Sequence, residues 1–232
     1  LKIKIFADGA DIQGILDFVD NPLISGFTTN PTLMRKAGIS DYEQFAREVL
    51  THVNDRPISF EVFSDEFDEM RRQALKLASF GSNVVVKIPV TNTRRESSVE
   101  LIRDLSSQGV ALNVTAVMTV GQVDVISSSL SDGVESIISV FAGRIADTGR
   151  DPIPLMCEAL TITNSRRDID LLWASPRELL NIIQADDIGC DVITVTNDLL
   201  KKLDGLGKDL EQFSLETVKM FADDAVAAGF NL

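Results

Sequence analysis

Lys87 stands in the middle of GSNVVVKIPVTNT (81–93), with Val84, Val85 and Val86 before it and Ile88 and Pro89 after it. Such a run reads as a strand buried on both faces. A charged ammonium there is costly unless it is paired, neutralised or used. A desolvated amine adds to a ketone or aldehyde to give a carbinolamine and then a Schiff base. That chemistry needs one acid/base group for the loss of water and another for a substrate hydroxyl proton. Asp8 and Glu61 are two carboxylates available to share those tasks. Asn30 and Asn113 offer amides to the hydroxyls of a polyol chain, and Thr115 offers a hydroxyl to orient a water. A plainer reading stays open from the residues alone. In it, Lys87 is a structural cation neutralised by Asp8 or Glu61, Asn30 shapes the turn before Pro31, and Thr115 and Ser139 bond within their strands.

The elements that must position these groups are legible in the hydrophobic pattern. Short apolar stretches at 2–8, 24–29, 57–63, 82–88, 110–116, 134–141, 169–175 and 191–196 alternate with amphipathic helical patterns such as 65–80 and 95–108. Gly81, Gly109, Gly133 and Gly189 sit just before strands, where a helix C-terminus favours a residue tolerant of positive φ. Eight β–α units without a Pro/Gly-rich linker predict a single domain over 1–232. Its expected fold is a (β/α)8 TIM barrel with an additional C-terminal helix at 211–228. A doubly wound sheet is the alternative, but FADGADIQG after the first strand lacks the G-x-G-x-x-G of that fold. In a barrel the C-terminal strand ends meet at one mouth. Here they carry Asp8; Thr28, Thr29 and Asn30; Glu61; Lys87; Asn113 and Thr115; Ser139; and Ser175. Seven strands of the eight thus end in a polar side chain, more than packing alone explains.

Composition narrows the partners. A net charge of −13 argues against nucleic acid or an anionic membrane, which need a basic face. It leaves room for a small phosphorylated ligand, which needs only one or two arginines. Cys157 and Cys190 are far apart and read as reduced thiols. The one histidine, His52, follows a helical pattern and reads as a surface residue. With no leader pattern and no apolar run of about 18 residues, a cytoplasmic protein is expected.

Four motifs carry a resemblance: FTTNPTL after the second strand, VVVKIPVT on the fourth, LNVTAVMT on the fifth and ISVFAGRIADTG on the sixth. Together they resemble the transaldolases, most closely the short transaldolase and fructose-6-phosphate aldolase branch, over essentially the whole chain. The resemblance implies an enzyme without metal or cofactor that moves a dihydroxyacetone unit between sugar phosphates. Lys87 would attack the C2 ketone of fructose 6-phosphate or sedoheptulose 7-phosphate. Asp8 would accept the C4 hydroxyl proton, and Glu61 would shuttle protons through a water positioned by Thr115. Asn30, Asn113 and Ser139, with Thr28 nearby, would hold the dihydroxyacetone hydroxyls, and Arg144 would clamp the phosphate. It also implies a homo-oligomer, with pentameric rings or decamers built through the C-terminal helix.

Two positions bear on the branch. Aldolase members have a glutamine at the place of Glu61 and a tyrosine at the place of Phe141, so Glu and Phe here resemble the transaldolases. Phe141 cannot protonate an enamine, which favours transfer to an acceptor over release of dihydroxyacetone. On the seventh strand the family's ASF followed by Lys or Arg appears as LLWASPRE. Ser175 matches, while Arg177 replaces the base only from a later position, in what reads as the first helical turn. Arg94 and Arg95 read either as a solvated pair opening a helix or as contacts to a larger anionic substrate. A fructose-6-phosphate aldolase and a non-catalytic sugar-phosphate-binding barrel are the competing functions.

Overall fold

The computed structural model describes residues 1–9, 12–29 and 31–230. Eight parallel strands close in sequence order into one barrel. They are Lys4–Asp8 (β1), Ile24–Thr28 (β2), Ile58–Glu61 (β3), Val84–Pro89 (β4), Leu112–Val117 (β5), Ser136–Val140 (β6), Ile169–Trp173 (β7) and Val192–Thr196 (β8). The helices are Ile12–Val19 (α1), Pro31–Lys36 (α2), Tyr42–His52 (α3), Phe67–Ala78 (α4), Val99–Ser107 (α5), Val120–Ser127 (α6), Ala142–Ala146 (α7), Ile153–Thr163 (α8), Leu180–Asp187 (α9), Asn197–Leu200 (α10) and Leu210–Ala227 (α11). The fold is therefore the expected (β/α)8 TIM barrel, and a C-terminal helix is present.

Two compact units make up the chain. Leu1–Leu200 holds the barrel, and the second unit, from Lys201 on, holds a short 3₁₀ turn at Leu203–Gly205 and α11. Leu210, Phe213, Phe221 and Val226 on α11 are exposed.

Helix and strand burial follow the sequence pattern. Helix α4 buries Met70, Gln73, Ala74 and Leu77, one stripe at helical spacing. Buried Gln73 has a second duty, because its Oε1 accepts the Phe63 N–H at 2.9 Å and fixes the loop after β3. Thr119 and Gln122 close a capping box on α6. Inside the barrel, Phe6, Val85, Ile137, Leu172, Ala174 and Val192 form an apolar plug. Gly26 leaves room for it, since a Cβ there would meet the Phe6 ring at 2.7 Å. Of the four glycines before strands, Gly109, Gly133 and Gly189 take positive φ. Gly81 does not.

Parity within β4 answers why a lysine sits in an apolar strand. Val84, Val86 and Ile88 alternate with Val85 and Lys87, so Lys87 shares the Val85 face and points into the barrel above the plug. The register sets Glu61 beside Lys87 and Lys87 beside Asn113, while Asp8 lies between Thr28 and Thr196.

Candidate active site

The C-terminal mouth of the barrel opens into a cavity of about 440 Å³. Lys87, Asp8, Glu61, Thr115, Thr28, Asn113, Ser139, Phe141, Arg144, Ser175 and Arg177 all line it. Asn30 lies outside the described residues.

Lys87 is buried, and its Nζ donates to the Thr29 carbonyl at 2.9 Å. The Glu61 carboxylate lies 3.3 Å from the same nitrogen. Both neighbours are acceptors, so the nitrogen is aimed by two fixed oxygens, one of which can take its proton. Asp8 accepts from the Thr28 hydroxyl at 2.8 Å, and that hydroxyl also meets Thr194 Oγ1. Asn113 joins two further strands: Ser139 Oγ donates to its Oδ1 at 2.6 Å, and its Nδ2 donates to Ser59 Oγ at 3.1 Å. These contacts fix the amide orientation and leave the cavity a preset face of polar groups.

Thr115 stands apart. Its hydroxyl is buried and has no hydrogen-bond partner among the described residues, although it lines the cavity. A buried hydroxyl without a partner carries a real penalty, which a bound water or substrate oxygen would remove. The backbone here is irregular as well: Ala116 takes φ 62°, and the β5–β6 register shifts between Val114 and Val117.

The two arginines at the mouth, Arg144 and Arg177, are held differently. The Arg144 guanidinium lies 5.8 Å from the Phe141 ring centroid and pairs with no carboxylate among the described residues. Arg177 is not in a helical turn, because α9 begins only at Leu180. It lies in the loop after β7 and grips Asp147 with two bonds, one from Nε at 3.0 Å and one from a terminal nitrogen. The Arg177 guanidinium holds the Asp147 carboxyl below its ordinary range. Ser175 takes φ 58°, and its carbonyl sits where a Cβ on Gly143 would be, 1.5 Å away. Only glycine at 143 allows α7, which carries Arg144, to lie against the Ser175 loop.

Arg94 and Arg95 do not line the cavity. Arg94 is tied to Asp65, Glu66 and Glu96, and Arg95 takes φ 64° in a loop closed by a Thr91–Ser97 bridge. Helix α5 starts only at Val99, so the pair does not open it. Arg94 braces this loop through its three carboxylate partners.

Sequence reasoning missed Lys36, Ser59, Thr194 and Thr196. Lys36, Thr194 and Thr196 line the cavity, and Ser59 supports Asn113 beneath it. The signal for strand eight was present in VITVT, whose threonines alternate. With it, all eight strands bring a polar group to the mouth. Trp173 is core, fully buried, with Nε1 unpartnered among the described residues. Cys157 is exposed and Cys190 buried, both free thiols, and burial pushes the Cys190 thiol up to about 12. His52 ends α3 and is exposed.

A parallel barrel whose C-terminal mouth gathers an inward lysine, two carboxylates and arginines defines the class: a (β/α)8 TIM barrel with a polar cavity at that mouth. The transaldolase/fructose-6-phosphate aldolase family profile matches residues 5–232. A protein of Thermoplasma volcanium named a probable transaldolase is 36% identical over 204 residues, 87% of each chain. One of the same name from Thermoplasma acidophilum is 34% identical over 221 residues, covering 91% of this chain and 95% of that one. The chain belongs to the transaldolase/fructose-6-phosphate aldolase family. Among solved structures, 3-hexulose-6-phosphate synthase from Salmonella typhimurium superposes with a TM-score of 0.61 at 14% identity, over 89% of this chain and 94% of that one. That likeness is one of fold.

Proposed function

We propose that this protein is a transaldolase that works through a Schiff base on Lys87. It takes a dihydroxyacetone unit from fructose 6-phosphate or sedoheptulose 7-phosphate and passes it to an aldose phosphate. One observation carries the reading: buried Lys87 Nζ lies 3.3 Å from the Glu61 carboxylate in a cavity that Asp8 also lines.

Glu61 takes a proton from Lys87, and the free amine adds to the C2 carbonyl. The carbonyl oxygen gains two protons, one from the nitrogen and one returned by Glu61, and leaves as water, so the carbinolamine becomes an iminium. A water held by Thr115 and Glu61 relays these protons. Asp8, oriented by Thr28, removes the C4 hydroxyl proton; the C3–C4 bond breaks, its electrons enter the iminium, and an aldose phosphate departs from the enamine. The same steps in reverse join the enamine carbon to an acceptor aldehyde. Asn113 and Ser139, with Asn30 as the sequence implies, hold the dihydroxyacetone hydroxyls. Arg144 and Ser175 take the phosphate, with Arg177 at the edge.

Transfer is favoured over release because no phenol lines the cavity among the described residues. The chain's single tyrosine, Tyr42, is bonded to the Glu61 backbone instead. The reading includes a cytoplasmic homo-oligomer, a pentamer or decamer assembled through the exposed apolar residues of α11. No described helix is long and apolar enough to cross a membrane.

Borohydride with fructose 6-phosphate is expected to label Lys87, and Lys87→Met to abolish the label. Glyceraldehyde 3-phosphate should form only when erythrose 4-phosphate is supplied. Turnover without the acceptor would point to the aldolase, and calorimetric binding with no adduct to a non-catalytic barrel.

A further inference from the structure

We infer that Tyr42 is a positioning residue for the Schiff-base lysine, acting through a gap it fills in the barrel wall. This rests on the transaldolase reading above. The β2–β3 ladder runs regularly at first: Phe27 N–H donates to Pro57 O at 2.9 Å and Thr29 N–H to Ser59 O at 3.1 Å. Continued in register, the next bonds would run from Glu61 N–H to Thr29 O and from the residue-31 N–H to Glu61 O. Neither partner is available in that form. Residue 31 is a proline and has no N–H, and Thr29 O accepts from Lys87 Nζ.

The Tyr42 hydroxyl, at the start of α3, takes both places. It accepts the Glu61 N–H at 2.8 Å and donates to the Glu61 carbonyl at 2.9 Å. One phenol thus satisfies two backbone groups that an unbroken ladder would have paired. Its ring is held in turn, 5.4 Å from Phe63 and 6.4 Å from Phe60 between centroids. Asp41 caps the helix by accepting the Gln44 N–H at 2.9 Å. Burial keeps the phenol protonated, well above its ordinary range, so it remains a donor.

The consequence reaches the reacting nitrogen from two sides. With Glu61 N–H bonded to the phenol, Thr29 O is released from the ladder and serves as one acceptor for Lys87. With the Glu61 backbone pinned at both polar atoms, its carboxylate is held as the other. Without the hydroxyl, the Glu61 N–H is driven to re-close the ladder on Thr29 O, and both acceptors shift together.

The test is Tyr42→Phe, with dihydroxyacetone and borohydride as the probe and adduct at Lys87 read by mass. The adduct rate is expected to fall about tenfold, as when a hydrogen bond to a charged group is lost, with KM for fructose 6-phosphate within about threefold of the wild type. Exchange of the Glu61 amide should accelerate as well. Val49→Ala, on the buried face of the same helix but away from the phenol, controls for lost stability. An unchanged adduct rate in Tyr42→Phe overturns the assignment while leaving the function reading standing. So does an equal fall in Val49→Ala. A wild type that forms no adduct at Lys87 overturns the function reading and this assignment with it.

Discussion

Gly143→Ala offers a severe test of the proposed phosphate side of the cavity. An added Cβ would lie 1.5 Å from the Ser175 carbonyl oxygen and 2.6 Å from its carbon. Ordinary contact begins near 3.4 Å, so α7 and the Ser175 loop must part by about 1.9 Å. Backbone stands on both sides, and neither can yield by turning a rotamer. Overpacking of this kind costs about 1–3 kcal/mol, equivalent to a Tm loss of roughly 2–12 °C for a chain of this size. The functional cost should be larger and selective. Arg144 follows Gly143, and Ser175 holds its unusual φ of 58° against it, so both proposed phosphate contacts move. A misplacement near 1 Å costs about a hundredfold, so kcat/KM for fructose 6-phosphate should fall by about that factor or more. Adduct formation with dihydroxyacetone, which has no phosphate, should stay within about threefold of the wild type, because Lys87 is on β4, two strands from β6 and three from β7. Steady-state kinetics and borohydride trapping, run on the same preparation, separate the two. A variant with wild-type kcat/KM, or with both activities lost equally, would refute the argument.

Other expectations follow from single contacts. Arg144→Ala should raise KM for fructose 6-phosphate about 10–100-fold, the worth of a charge-assisted bond, with a smaller change in kcat. Thr115→Val removes a hydroxyl that has no protein partner, so thermal stability should hold or rise while turnover falls about tenfold or more. Asp168 is held down to about 2 by the Arg166 guanidinium and the Gly133 N–H. Because its folded value is depressed from 3.8, the pair stabilises the fold above about pH 4 and loses that contribution as pH falls towards 2. Asp168→Asn should therefore cost about 1–2 kcal/mol by thermal melting at neutral pH, after allowance for solvent screening, and nearly nothing at pH 2. A thiol reagent should modify Cys157 alone in the native protein and both cysteines after denaturation.

The barrel was legible because its strands are buried on both faces and the helices around them, unlike α11, each bury one. That makes a repeating pattern of apolar runs and helical stripes with glycines between them. The mouth was legible for the same reason, since a polar residue at the end of an apolar run has few packing explanations. Partnership was not legible. LLWASPRE places an arginine near the seventh strand, but nothing local reveals that Asp147, thirty residues earlier, grips it. Arg94 looked like a free cation until Asp65 and Glu66 came to it from the loop after β3. Thr194 was passed over because threonine is a common strand former, and its inward parity matters only once the barrel closes. Tyr42 was invisible for a deeper reason. Its role depends on what Pro31 lacks and on what Thr29 gives to Lys87, and neither can be seen at position 42.

Apart from a β1–β2 register shift between Ile5 and Phe6, four irregularities of this barrel share one end. Ala116 and Ser175 carry positive φ, the β5–β6 register slips, Gly143 touches a neighbouring backbone, and the β2–β3 ladder is interrupted at Glu61. All four lie at the C-terminal rim; the only other non-glycine residue with positive φ among those described is Arg95, in the loop after β4. A regular ladder would spend every rim carbonyl and N–H on its neighbour and leave the cavity side chains alone to bind substrate. These departures instead serve the mouth: Thr29 O turns to Lys87, the Thr115 hydroxyl lies at the cavity, and α7 packs at Gly143 against the Ser175 loop. Strained backbone costs about 1–3 kcal/mol per residue, so such positions persist only where the surroundings enforce them. Replacing one by a regular pairing should therefore stabilise the protein and impair turnover together, and that paired outcome is the mark by which a positioning device is told from a packing defect.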